Sequence, residues 1–252
     1  MRLEYKYLIP NERLPELRAK IAPFVEADAH GRGLEGYTVR SIYFDTVALN
    51  CYHDTVEGLT VRRKIRIRGY NECEERSIIF LEIKRKYGAS VVKNRAPVLY
   101  EHIKDLLASG DVERYVFTRT DFPNASRDAR QFLFHIYSGS LRPIVLIMYE
   151  REAYYSKLGS LRITFDKNLR SSIYPSLDAL FSEDNTLYSI PKHFILELKF
   201  YDGLPSWLKS TVGTLDLEQR ALSKYAICVD EHDMLNGFSK RLTLVLSHAV
   251  HL

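Results

Sequence analysis

Five segments of this chain alternate ionic and apolar residues with a period of two. That is the pattern of a β-strand whose two faces meet different surroundings. In Val61–Arg68 the residues Arg62, Lys64, Arg66 and Arg68 form one basic row. In Leu81–Lys86, Glu82, Lys84 and Lys86 oppose Leu81 and Ile83. The first strand sets Arg2, Glu4 and Lys6 against Leu3, Tyr5, Tyr7 and Ile9. Ser160–Asp166 sets Arg162, Thr164 and Asp166 against Leu161, Ile163 and Phe165. Phe194–Phe200 sets Glu197 and Lys199 against Phe194, Leu196, Leu198 and Phe200. Three of the five repeat an acid-x-base element: Glu4-Tyr-Lys6, Glu82-Ile-Lys84 and Glu197-Leu-Lys199.

The rest of the chain supplies further strands and the helices to cover them. The spacing predicts strands over Arg2–Ile9, Tyr37–Asp45, Leu59–Tyr70, Arg76–Tyr87, Ser90–Arg95, Pro143–Tyr155, Ser160–Asp166 and His193–Tyr201. Helical patterns cover Glu12–Phe24, Val98–Ser109, Ala125–Ser138, Pro205–Thr214, Ser223–Leu235 and Ser239–His251, with a short turn over Ala48–Val56. Helices do not regularly separate the strands, so the expected class is antiparallel α+β. No repeat or Gly/Ser linker divides the chain, and the expectation is one domain over residues 1–252.

An ionic face has two readings. The ordinary one is a half-buried sheet with its charged side in water. Against it, Lys64-x-Arg66-x-Arg68 places three like charges on one side of one strand, where they repel. A bound polyanion relieves that repulsion, and Arg offers forked donors to phosphate oxygens. The sparse carboxylates in the same rows suit a hard divalent cation set against phosphates. In this second reading the apolar faces look outward to helices and the charged faces line a closed lumen, an inverted barrel.

Composition limits the alternatives. With 252 residues and 46% hydrophobic content the chain can bury a sizeable core, which excludes bulk disorder. The longest apolar runs fall far short of the roughly 18 residues a membrane span needs, and the N-terminus has no apolar signal core. A cytoplasmic protein without a membrane span is expected. Cys51, Cys73 and Cys228 have no CxxC spacing, so neither a disulfide framework nor a zinc site is indicated. The eight histidines show no metal-ligand spacing, and the Walker-A and Rossmann glycine patterns are missing. A net charge of +4 names no partner by itself.

The ordered set Glu4-Tyr-Lys-Tyr7, Ser41-Ile-Tyr-Phe-Asp45, Arg63–Tyr70, Phe80–Lys84, Tyr149–Tyr154, Leu161–Asp166, Ile195–Lys199 and Ser223-Lys-Tyr225 resembles the VTC (vacuolar transporter chaperone) polyphosphate polymerase domain. That domain lies within the CYTH/triphosphate tunnel superfamily. The resemblance implies an antiparallel β-barrel tunnel with a charged lumen, surrounded by helices, that binds triphosphate and a divalent metal (Mn²⁺ or Mg²⁺). It implies transfer of the γ-phosphate of ATP to a growing polyphosphate chain. Lys6, Arg66, Arg68, Lys84, Arg151, Arg162, Lys199 and Lys224 would contact phosphates, and Lys64, Lys86 and Lys93 would extend the lining. Glu197 would hold the metal, with Glu82 and Glu4 as further ligands.

Departures matter here. Hydrolytic CYTH members carry Glu-x-Glu-x-Lys on the first strand, and Arg2 stands where its first Glu would be. That favours the VTC branch, whose stand-alone domains are typical of bacteria. Arg151 alternates with Val145, Ile147 and Tyr149, so a bulge or strand end is expected to turn it inward. The partners expected are a nucleoside triphosphate and polyphosphate, not nucleic acid. An inorganic triphosphatase or polyphosphatase, and a non-catalytic polyanion-binding module, are the alternatives.

Overall fold

Ten strands and seven helices are described in a computed structural model covering residues 3–28, 36–88, 90–118, 120–157, 159–201 and 203–233. The strands are β1 Leu3–Pro10, β2 Val25–Ala27, β3 Tyr37–Asp45, β4 Val61–Tyr70, β5 Ile78–Tyr87, β6 Ser90–Leu99, β7 Arg142–Ser156, β8 Arg162–Ile173, β9 Leu187–Tyr188 and β10 His193–Phe200. The helices are α1 Leu14–Ile21, α2 Asn50–Val56, α3 Ile103–Ser109, α4 Val112–Tyr115, α5 Ala125–Ser138, α6 Ser206–Thr214 and α7 Lys224–Glu231. Short 3₁₀ turns flank α1 and precede α3, and another spans Leu177–Phe181. The helix expected over Ser239–His251 lies outside the described residues, as does Arg2.

Hydrogen bonds order the strands β1-β10-β8-β7-β3-β4-β5-β6, with β2 beside β7 and β9 beside β8. The antiparallel α+β class is therefore met. Among the described residues no pairing joins β6 to β1, so backbone hydrogen bonds do not close the barrel expected from sequence.

The chain forms two compact units. The first comprises Met1–Val39, Met148–Arg170 and Tyr188–Leu222. Its strands β1, β10 and the start of β8 pair so that Lys6 stands opposite Glu197 and Glu4 opposite Lys199. Across the next pair Glu197 meets Thr164 and Lys199 meets Arg162. The alternate residues Tyr7, Ile9, Ile163, Phe165, Phe194, Leu196, Leu198 and Phe200 form a core with Leu17 and Ile21 of α1 and Leu208 of α6. Burying each such side chain contributes about 1.5–3 kcal/mol. Helices thus cover the apolar face, as the inverted reading requires, and the ionic residues point the other way.

One glycine in this unit is obligatory. Gly36 has φ +81°, and a Cβ there would lie 2.3 Å from the carbonyl oxygen of Arg151.

The second unit comprises Arg40–Ile147, Ser171–Leu187 and Ser223–Leu252. Its β4–β5–β6 meander buries Ile65, Ile67, Leu81, Ile83, Ala96 and Val98 on one face. Helix α5 packs on β5 and β6, with Phe132 edge-on to Phe44. Strand β6 runs on through Pro97 to Leu99, beyond the expected stop at Arg95. It ends the strand order, where a residue without an N–H is tolerated. The helix expected from Val98 accordingly begins as a 3₁₀ turn only at Tyr100.

Helix α7 is latched onto this unit from below its first turn. Ser223 caps it by accepting from Ala226 N at 3.3 Å. Tyr225 donates at 2.6 Å to Asp45, which also accepts the backbone N–H groups of Cys51 and Tyr52 at 2.9 and 3.0 Å. Burial and the Asp45 charge push the Tyr225 hydroxyl well above the ordinary tyrosine range, so it stays a donor.

Candidate active site: two ionic faces

In the first unit two of the acid-x-base repeats form ion pairs along their own strands and, at longer range, across from β1 to β10. Lys6 Nζ lies 3.0 Å from Glu4 and 3.5 Å from Glu197, and it donates to the carbonyl of Leu222 at 3.0 Å. Lys199 donates to Glu197 at 2.7 Å and lies 3.9 Å from Glu4. Burial lowers the Lys199 pKa below that of an ordinary lysine, even though Glu197 and Glu4 oppose the shift. Its charge is thus disfavoured by burial and offset only in part by the two carboxylates.

Arg151 joins the same face. Its guanidinium grips Asp166 with two hydrogen bonds of 2.6 and 2.7 Å and stands 3.7 Å from Glu197. Its carbon centre is 5.2 Å from the Tyr149 ring. Burial opposes the charge, but Asp166, Tyr149 and Glu197 hold the Arg151 pKa well above the arginine norm. The outer side of β7 is distinct: Glu152 accepts from Arg18 and pairs with Lys167 at 2.6 Å.

Arg162 donates to Asp28 at 2.9 Å and to the Tyr37 hydroxyl at 3.4 Å. Two polar groups here are unmet: Arg162 Nε and Thr164 Oγ1 are both buried without a hydrogen-bond partner. Each such group costs about 1–3 kcal/mol unless something pairs with it.

In the second unit the strand registers stack the cations abreast. Lys64, Lys84 and Lys93 form one row across β4, β5 and β6. The next row is Arg66, Glu82 and Arg95. Glu82 is the hub of the cluster: Arg66 approaches it at 2.6 Å, Lys93 at 2.9 Å, Arg95 at 3.1 Å and Arg68 at 3.9 Å. Burial alone would raise the Glu82 pKa; these four cations override it and hold it well below the ordinary carboxylate range.

Other contacts fix the individual cations. Arg66 donates to the Tyr43 hydroxyl at 2.7 Å, Arg68 to Ser41 Oγ at 3.0 Å and Lys64 to Ser223 Oγ at 2.7 Å. Tyr43 stacks on Tyr225 with centroids 5.1 Å apart. Its burial is outweighed by Arg66, Arg68 and Lys224, which lower its pKa from the tyrosine norm. Lys224, at the first position of α7, thereby bears on this cluster. Lys86 stands apart from it, abreast of Arg62 and Val91 near the hairpin end.

A family model for the VTC domain matches residues 1–231. This chain belongs to the VTC domain family. No curated protein matches it significantly. Among solved structures, this VTC domain is similar to the PH1819 protein of Pyrococcus horikoshii at 13% identity and TM-score 0.43, covering 90% of this chain and 97% of that one. It is similar to a putative adenylate cyclase from Vibrio parahaemolyticus at 11% identity and TM-score 0.45, covering 90% and 96%. The Mimivirus capping enzyme triphosphatase is a further likeness, at 9% identity and TM-score 0.31, covering 84% and 88%.

Three participants in this VTC domain escape the sequence reading. Arg95 is two residues beyond Lys93 on the same strand face, so alternation would have found it. It also lies 3.6 Å over the Phe80 ring. Tyr43 and Asp28 are neutral to that rule, because their roles depend on neighbours distant in sequence. Among the described residues no three His, Cys, Asp or Glu side chains gather to hold a metal. No described helix is long and apolar enough to cross a membrane.

Proposed function

We propose that this VTC domain is a polyphosphate polymerase, moving the γ-phosphoryl group of a nucleoside triphosphate onto a growing polyphosphate chain. The observation that carries the reading is the triple-lysine row Lys64–Lys84–Lys93 beside a second row in which a single carboxylate, Glu82, faces four cations. Such an excess of positive charge is compensated by a multivalent anion. The unmet Thr164 hydroxyl and Arg162 Nε of the other unit are donors of the kind phosphate oxygens accept.

Phosphoryl transfer asks for little covalent chemistry from the protein. It needs alignment of the phosphates and neutralisation of spread negative charge. Arg66, Arg68 and Arg95 are pre-set by Glu82 in one unit, and Lys6 and Lys199 by Glu4 and Glu197 in the other, so within each unit little reorganises when an anion binds there. Attack by a phosphate oxygen of the acceptor chain requires no Ser or Cys nucleophile.

The donor set fits a divalent ion held by one or two carboxylates together with phosphate oxygens, rather than an all-protein cage. Glu197 and Glu4 would be its ligands, and the bound ion would offset charge on the transferring group. Glu82, the further expected ligand, is approached by Arg66, Arg68, Lys93 and Arg95, as Glu197 is by Lys6, Lys199 and Arg151, so at either carboxylate an arriving ion would have to displace a cation.

The test is product analysis after incubation with ATP and Mn²⁺ or Mg²⁺. The expected products are ADP and acid-stable polyphosphate. Orthophosphate as the sole phosphate product would overturn the polymerase reading in favour of a triphosphatase.

A further inference from the structure

The β4–β5 hairpin carries a second charged pair, on the face opposite the one just described. Arg63 and Arg85 are direct cross-strand partners. They continue the side of the strands that otherwise buries Ile65, Ile67, Leu81 and Ile83. Like charges placed directly opposite on antiparallel strands are destabilising. An apolar or opposite-charge pair would serve a purely structural end better.

No carboxylate among the described residues forms an ion pair with either arginine. Arg85 spends Nη2 on the amide oxygens of Asn94 at 2.5 Å and Gln131 at 3.2 Å, while its Nε is buried with no partner. Arg63 Nη1 is 3.5 Å from His135 Nδ1. Burial first, then Arg63 and Arg85, push the His135 pKa below the histidine norm, which registers the positive potential at this place.

A cavity of about 420 Å³ opens here, lined by Arg85, Arg127, Arg130, Gln131, Phe134 and His135. That size is within the range of small-ligand sites. Two acids stand close, and both are engaged. Glu113 pairs with Arg130. Asp128 lies 3.7 Å from Arg127 but accepts from the Asn94 amide at 2.8 Å and the Arg95 backbone N–H at 3.0 Å. Arg63 also meets the Cys51 thiol, which burial keeps neutral, so among the described residues the forks of Arg63 and Arg85 keep no anionic counterpart.

We propose that the outer face of the β4–β5 hairpin beside α5 is a second anion site, taking a phosphate-bearing anion on the forked donors of Arg63 and Arg85. A phosphate group satisfies two guanidinium groups at once through its several oxygens, which a single carboxylate does less completely. Phe134, 65% exposed at the rim, offers a ring to a nucleobase. The phosphate can belong to a nucleotide or to an inorganic polyphosphate. The site stands on its own geometry and holds whether or not the polymerase reading does.

The experiment silences the first site and reads the second. Binding of tripolyphosphate and of ATP is measured by calorimetry on the Arg66→Gln chain, with and without Arg63→Gln/Arg85→Gln, and repeated in a Lys199→Ala background. Circular dichroism checks the fold of each protein. Retained tripolyphosphate binding that weakens by about tenfold or more on removing the pair is expected. If Phe134→Ala weakens ATP alone, the ligand is a nucleotide; if it changes neither, the ligand is an inorganic chain. Equal affinity with and without the arginine pair, or no binding in either silenced background, would overturn the site. The charge-neutral pair is also expected to leave the phosphate-free melting temperature unchanged or higher, and a folded variant keeps the binding comparison valid.

Discussion

Arg151 on β7 and Asp166 on β8 meet in a buried two-pronged ion pair, Nε to Oδ1 at 2.6 Å and Nη2 to Oδ2 at 2.7 Å. The pair aims a guanidinium from a largely apolar strand into the ionic face of its unit, next to Glu197. Asp166→Asn retains the shape but leaves the buried Arg151 charge short of a partner. Removing one member of such a pair costs about 3–5 kcal/mol. The melting temperature should fall clearly, and the double variant Arg151→Met/Asp166→Leu should recover much of the loss. Equal stability of the single variant and the parent would show that the pair is not structural.

Thr164 offers an opposite case, because its hydroxyl is buried and unpaired. Thr164→Val removes the unmet group at nearly constant shape, so thermal stability should hold or rise by up to about 1–3 kcal/mol. Tripolyphosphate affinity should fall in the same protein. A loss of stability with unchanged affinity would make the hydroxyl a packing element instead.

Acid sensitivity follows from Glu82. Its folded pKa is well below the ordinary 4.5. The stabilisation it brings is therefore complete above that ordinary value and is lost as pH falls toward the depressed folded one. Glu82→Gln should lower stability near neutrality, since four cations lose their shared countercharge, and should flatten the acid limb of a stability–pH curve. An acid limb of unchanged steepness would place that sensitivity on other groups.

The Lys199 pKa lies below the 10.5 of an ordinary lysine. In the window between the two values the unfolded chain holds this proton and the native chain gives it up, so the native charge costs stability at lower pH. Phosphate binding needs that charge. Affinity for tripolyphosphate should start to fall on the alkaline side earlier than an ordinary lysine would dictate, and Lys199→Arg should carry it to higher pH. Coincident pH profiles for the two proteins would remove Lys199 from phosphate contact.

Much of this was legible from alternation alone. The faces of β1, β4, β5, β8 and β10 follow directly from a period of two, and Tyr37–Asp45 and Ala125–Ser138 match their elements end to end. What escaped depended on registers between strands. That Lys64, Lys84 and Lys93 stand abreast is a property of β4, β5 and β6 together, and no single strand states it. β8 extends past Asp166 to Ile173, because Lys167 and Asn168 interrupt the apolar alternation without ending the pairing. Arg151 lies 5.2 Å from the Tyr149 ring, and the partner that makes its burial tolerable, Asp166, comes from β8, so its place could not be read from β7 alone. The open strand path was equally hidden, since ring closure is a matter of which edges meet.

The central claim is that the ionic faces of the strands carry the phosphate chemistry, rather than simply facing water. Its most direct test is the rate of ADP formation from ATP with Mn²⁺ or Mg²⁺ by Arg66→Ala and Lys199→Ala, with circular dichroism reporting the fold. Each substitution removes a charge without touching the apolar face, so turnover should drop to background in a folded protein. If both variants keep the wild-type rate, the charged rows are solvent-facing surfaces and the account is contradicted.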